Sequence, residues 1–127
     1  MESNLQTGAV LFVSKIQQVA DFYEQVAGLV ILAQESDHII LERGSYQLVV
    51  HKIPEHYKSN SDGNSARQHN TLKPVYFIAD ISAARDAAAR LGGKISAKEK
   101  EWDFQGTLVC DGVDPEGNIF QLRQSVS

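Results

Sequence analysis

The chain has 127 residues, 43% of them hydrophobic and 22% charged, a balance that suits one globular domain over residues 1–127 and excludes extensive disorder. A formal net charge of -4 gives no footprint for nucleic acid or an anionic membrane. The single cysteine, Cys110, rules out an internal disulfide or a multi-cysteine metal cluster.

In chain order, "MESNLQTG" has neither a basic segment nor an apolar one, so no leader is expected, and no apolar run is long enough to span a bilayer. Both point to a cytoplasmic protein. Residues 8–13, "GAVLFV", have the character of a buried strand. Ser14 and Gln17 have the spacing of a capping box, and Ile16, Val19, Tyr23 and Val26 recur at helical intervals up to Gly28. A helix is therefore predicted over 15–27. Three strand-like runs follow, "LVILAQE", "HIILERG" and "YQLVVHKI", separated by turn residues. Residues 54–70 are polar and rich in Ser, Asn and Gly, either a plain connector or a lid.

The pattern then restarts. "KPVYFIAD" is a strand, and Asp80 can cap a helix whose stripe is Ile81, Ala84, Ala88 and Leu91, stopped at Gly92-Gly93. "KISAKEKEW", "TLVCDGV" and "NIFQLRQ" are three further strands, and Cys110 sits in the second as a buried thiol. Strand-helix-strand-strand-strand thus occurs twice, with module one at about 8–53 and module two at about 73–124.

The segments "VSKIQQVADFYEQVAGLVIL", "FIADISAARDAAARLGG" and "DPEGNIFQLRQ" resemble the vicinal oxygen chelate superfamily of glyoxalases, extradiol dioxygenases and bleomycin resistance proteins. That resemblance implies an α+β fold in which two βαβββ modules make an eight-stranded, U-shaped open cup, often completed in a homodimer. In metal-dependent members the cup holds a divalent ion. The positions concerned carry Gly8, Pro74 and Gln121 here, with a further one among Gln47, Val49 and His51. Catalytic zinc or iron needs about three strong donors. Glycine and proline offer none and glutamine a weak one, so neither metal nor cofactor is expected. The remaining histidines have plainer readings, with His38 exposed beside a tight turn and His56 and His69 in the polar loop.

Alternation along the last strand sends Ile119, Gln121 and Arg123 into the cup and Phe120 and Leu122 towards the helices. The same parity assigns Pro74, Tyr76 and Ile78, and Gly8, Val10 and Phe12, to the lining. His51 is either a hydrogen-bonded structural histidine or a ligand contact, and Trp102 and Phe104 are either stacking surfaces or hairpin aromatics. The candidate ligand-binding residues are Tyr76, Gln121, Arg123, His51, Phe12 and Trp102. The resemblance is nearest to the metal-free bleomycin resistance branch, which implies a homodimer sequestering a small organic ligand, such as a drug or toxin. The alternatives are a metal-dependent lyase, isomerase or dioxygenase using His51, His69 and Gln121, and an interaction domain whose cup is filled by its own side chains.

Overall fold

The computed structural model describes residues 5–54 and 72–126. Most of the 54–70 loop, with His56 and His69, lies outside the described residues. Module one runs β1 (Thr7–Val13), α1 (Ile16–Ala27), β2 (Val30–Gln34), β3 (His38–Arg43) and β4 (Tyr46–Lys52). Module two runs β5 (Val75–Ile78), α2 (Ile81–Arg90), β6 (Lys94–Ile95), β7 (Trp102–Phe104), β8 (Thr107–Val113) and β9 (Ile119–Ser125). The first sheet has the order β1-β4-β3-β2; the second has β5-β9-β8-β6, with β7 also on β8. In each module the first strand pairs in parallel with the last, and neither sheet closes into a barrel.

One expected strand is broken in two. "KISAKEKEW" becomes β6 and β7, both antiparallel to β8, with a 3-10 turn over Lys98–Lys100 between them. Arg85 of α2 holds this excursion, donating from Nε to the Ser96 carbonyl at 2.9 Å and from Nη2 to Glu101 at 2.6 Å. A charge-assisted clasp of that kind outweighs the few ladder bonds a continuous strand would add.

The helix caps differ from each other. Asp80 caps α2 as expected, accepting from the Ala83 N–H at 3.2 Å. The capping box at Ser14 and Gln17 does not form. Glu116, from the turn between β8 and β9, instead accepts from the backbone N–H of Ser14 at 2.8 Å and of Lys15 at 2.6 Å. A carboxylate is well suited to the positive end of a helix. Buried Asp114 organises the same turn, accepting from the Tyr23 hydroxyl at 2.8 Å and the backbone N–H groups of Glu116 at 2.8 Å and Asn118 at 3.0 Å. The "DPEGN" motif therefore ties module two to the start of α1. Glu116→Ala should lower stability by about 1 kcal/mol, the usual cost of a lost cap, and urea unfolding measures it. An unchanged midpoint would mean that solvent replaces the carboxylate at no cost.

The core is shared between the modules. Phe22 and Tyr23 of α1 meet Phe120 of β9 edge-on, at ring separations of 5.7 and 5.6 Å. The helix also packs on β3 and β4 of the first sheet and on α2. α1 therefore touches the inner face of both sheets, and each sheet's second face is turned away from the core. Gly93 is required by this packing, because a Cβ there would stand 2.3 Å from the Phe22 ring. Among the described residues, no helix is long and apolar enough to cross a membrane.

Candidate functional site

Strand alternation and register define the two outward faces. On the first sheet, β1 pairs Gly8 with Gln47, Val10 with Val49 and Phe12 with His51, while Ala9, Leu11, Val13, Leu48 and Val50 point to the core. On the second sheet, Phe120, Leu122 and Cys110 are fully buried in the core, and Gln121, Arg123, Val109 and Asp111 occupy the opposite face. Trp102 pairs with Val109 and Phe104 with Thr107, so both aromatics stand on that outer face too.

Tyr76 is a correction. The register pairs it with Leu122, while Val75 lies opposite Gln121 and Phe77 opposite Arg123. Tyr76 is thus on the core face, 4% exposed, with its hydroxyl 3.2 Å from that of Tyr46. Pro74 and Ile78 share its parity, so the outer-face residues of β5 are Val75 and Phe77. Alternation shows which residues of a strand share a face but not which face that is, and the pairing of Tyr76 with Leu122 puts it in the core. Burial raises the pKa of both Tyr76 and Tyr23 above the ordinary value, helped by the Asp114 carboxylate at Tyr23 and by the Tyr46 hydroxyl at Tyr76.

The outer face of the second sheet carries a connected polar array. Lys73 donates to Asp111 at 2.9 Å, Gln121 donates from Nε2 to Asp111 at 3.2 Å, and Arg123 donates from Nε to the Gln121 carbonyl at 2.9 Å. The Arg123 guanidinium lies 4.9 Å from the Phe104 ring centre and 5.7 Å from that of Phe77, within cation–π range of both. Its terminal nitrogens donate to no described residue. Phe77 is 55% exposed, Phe104 46% and Trp102 42%, a large apolar surface around one preorganised cation. Phe77, Asp111 and Lys73 escaped the sequence reading, since nothing short of the β5–β9 register and the β8–β9 pairing brings them to Arg123.

The first sheet offers a plainer wall. Phe12 is 49% exposed and packs against His51, with ring centres 5.5 Å apart. His51 donates from Nδ1 to the Lys52 carbonyl at 2.8 Å. His38 lies opposite His51 across β3 and β4, their rings stacked at 5.8 Å, so it is half-buried in this wall rather than solvent-exposed. Asp37 accepts from His38 Nδ1 at 2.7 Å, and this bond holds its carboxyl below the usual range.

The register also shows what lies across from the expected metal positions. Gly8 lies opposite Gln47, and Val75 rather than Pro74 lies opposite Gln121. Two of the four have no donor and two are neutral amides, one already bonded to Glu42 and the other to Asp111 and Arg123. A side chain at Gly8 would begin 2.4 Å from the Gln47 carbonyl oxygen. This donor set does not fit a catalytic metal. On the helical side, a groove of about 410 Å³ is lined by Arg43, Asp80, Arg90 and several alanines, away from both outer faces.

Comparison with known proteins follows the same lines. The sequence model of a family described as a glyoxalase-like domain matches residues 9–123. No curated protein matches the sequence. Among solved structures, a glyoxalase/bleomycin resistance protein/dioxygenase family enzyme from Burkholderia phytofirmans PsJN superposes with a TM-score of 0.68 at 13% identity, covering 94% of this chain and 97% of that one. The bleomycin resistance determinant encoded on transposon Tn5 gives 0.62 at 19% identity, covering 96% and 98%. An integron cassette protein from V. cholerae gives 0.64 at 20% identity, covering 98% and 96%. Identities this low establish a common fold and nothing more.

Proposed function

Because the chain belongs to the glyoxalase-like domain family, within the glyoxalase/bleomycin resistance superfamily, we propose that it is a metal-independent binding protein for a small organic ligand. The observation that carries this reading is the Arg123 cluster, a guanidinium held by Gln121 between two exposed aromatic rings. Such a site suits a flat molecule with a carboxylate, carbonyl or phenolate group, stacked on Phe104 or Trp102 and bonded to the terminal nitrogens of Arg123. Gln121 positions Arg123, and Asp111 fixes Gln121 in turn.

Binding requires a second wall. Each chain presents two outward faces, both with exposed apolar residues, and its own helices stand between them. In the proposed assembly two copies pair so that the second sheet of one chain faces the first sheet of the other, making two cups per homodimer. Phe12 and His51 then lie across the ligand from Arg123. The acidic chain needs no nucleic acid or membrane partner, and a cytoplasmic location fits this role. An enzyme using His51, His69 and Gln121 with a metal is the weaker reading, since Gln121 is a neutral amide and both of its amide atoms are engaged.

The test is a thermal-shift screen of protein stripped with EDTA, using planar aromatic acids and phenols with bleomycin included. Binding to the folded state raises the melting temperature. Arg123→Met should weaken the best hit about tenfold or more, the loss expected for a charge-assisted contact. If no compound binds, or if Arg123→Met leaves the affinity unchanged, the proposal fails.

A further inference from the structure

Separately from the cup ligand, we infer that Asp37, His38 and His51 form a binding site for one transition-metal cation of the zinc, nickel or copper(II) kind. The three side chains come from the β3–β4 pair and the turn before it, and one donor atom from each lies within 4.8 Å of the others. His38 and His51 are directly opposed in the ladder. His38 Nδ1 is 2.7 Å from one Asp37 carboxylate oxygen and His51 Nε2 is 3.9 Å from the other.

Several features suit ligation. Donors around a tetrahedral zinc ion, at about 2.0–2.1 Å from it, stand roughly 3.4 Å apart, so small rotations of one exposed and two half-buried side chains bring these three together. His51 donates its Nδ1–H to the Lys52 carbonyl. That bond leaves Nε2 as the lone-pair nitrogen facing Asp37, the orientation that metal-bound histidines generally owe to an outer partner. The Asp37 carbonyl accepts from the Lys52 N–H at 2.7 Å, so the turn is pinned to the strand carrying His51. On ligation through Nδ1, the metal takes the place of the proton between His38 and Asp37, and the neutral imidazole carries its one proton on Nε2 instead. Two imidazoles and one carboxylate suit borderline cations, with copper(II) held most tightly, and they leave a coordination position open for water.

This site is distinct from the inherited one. Gln47 and His51 are four residues apart on β4, roughly 13 Å. Phe12, against His51, places it at the margin of the first sheet's outer wall.

The experiment is isothermal titration of the EDTA-stripped 127-residue chain with zinc chloride and nickel chloride. One equivalent per chain is expected. His38→Ala and His51→Ala should each weaken binding at least about tenfold, as should the size-preserving His38→Gln and His51→Gln. The four variants should keep the circular dichroism of the unaltered chain, so that lost binding is not lost folding. A variant lacking His56 and His69, the chain's other two histidines, should bind as before. Absence of binding, full binding by the His38→Ala/His51→Ala double variant, or loss of binding with His56 and His69 would each overturn the inference. Failure here leaves the cup proposal standing, because Arg123 and its aromatics are on the other sheet.

Discussion

Phe77→Asp should convert a dimer into a monomer without unfolding the chain. Phe77 is more than half exposed on the outer face of β5 and makes no core contact, so a carboxylate there is hydrated in the free chain. In the proposed assembly the same position lies within an apolar interface against the first sheet of the partner. Losing the apolar ring and desolvating a carboxylate there, even with the Arg123 guanidinium beside it, costs a few kcal/mol, or roughly tenfold to a hundredfold in the dimer dissociation constant. A specific interface of this type buries on the order of 1,600 Å² in total, which two sheet faces can supply. Sedimentation equilibrium should find the unaltered chain at twice its 14.0 kDa mass and the variant at that mass, with matching circular dichroism. A variant that remains dimeric would place the interface elsewhere.

The second large effect is alkaline. Tyr23 and Tyr76 are both buried, Tyr23 donates to Asp114, and both hydroxyls resist ionisation in the folded chain. Burial is the leading cause of each raised pKa. In the unfolded chain a tyrosine ionises near its ordinary value of 10.0. Below that pH the two states hold the same phenolic protons and the groups leave stability unaffected by pH. Above it the unfolded state loses protons that the folded state keeps, so stability falls as pH rises. Each tyrosine contributes about 1.4 kcal/mol per pH unit, and the pair nearly twice that. Urea unfolding between pH 9 and 11.5 should show this decline, and Tyr23→Phe and Tyr76→Phe should each remove part of its slope. A slope unaltered by both substitutions would mean that the two phenols ionise as readily folded as unfolded.

What could be read from the sequence was whatever depends on neighbours along the chain. The element order of module one, the α2 cap at Asp80, the glycine stop of α1 and the alternation that buries Phe120 and Leu122 while turning Gln121 to the opposite face are local patterns, and all were legible. What failed depended on partners far away. Ser14 and Gln17 have the spacing of a cap, yet a carboxylate about a hundred residues on competes better for the same N–H groups. Tyr76 has the alternation of a cup residue, but the parallel register to β9 sets its phase. His38 reads as a turn residue until β3 pairs with β4 and places it over His51. The β1–β4 pairing places Gln47 opposite Gly8, with Val49 and His51 further along the same face. The Arg123 cluster was half visible, since Gln121, Arg123, Trp102 and Phe104 were singled out while Phe77 was hidden by the phase of β5.

The central claim is that a ligand binds without a metal at the inherited positions, between Arg123 of one protomer and the first sheet of its partner. A crystal structure of EDTA-treated protein with the strongest compound from the screen tests it most directly. The ligand is predicted to contact Phe104 and the terminal nitrogens of Arg123 on one side, and Phe12 of the partner subunit on the other. A ligand seated in the groove beside α2, one enclosed by a single chain, or one bound only through a cation at Gln47 and Gln121 would contradict the account.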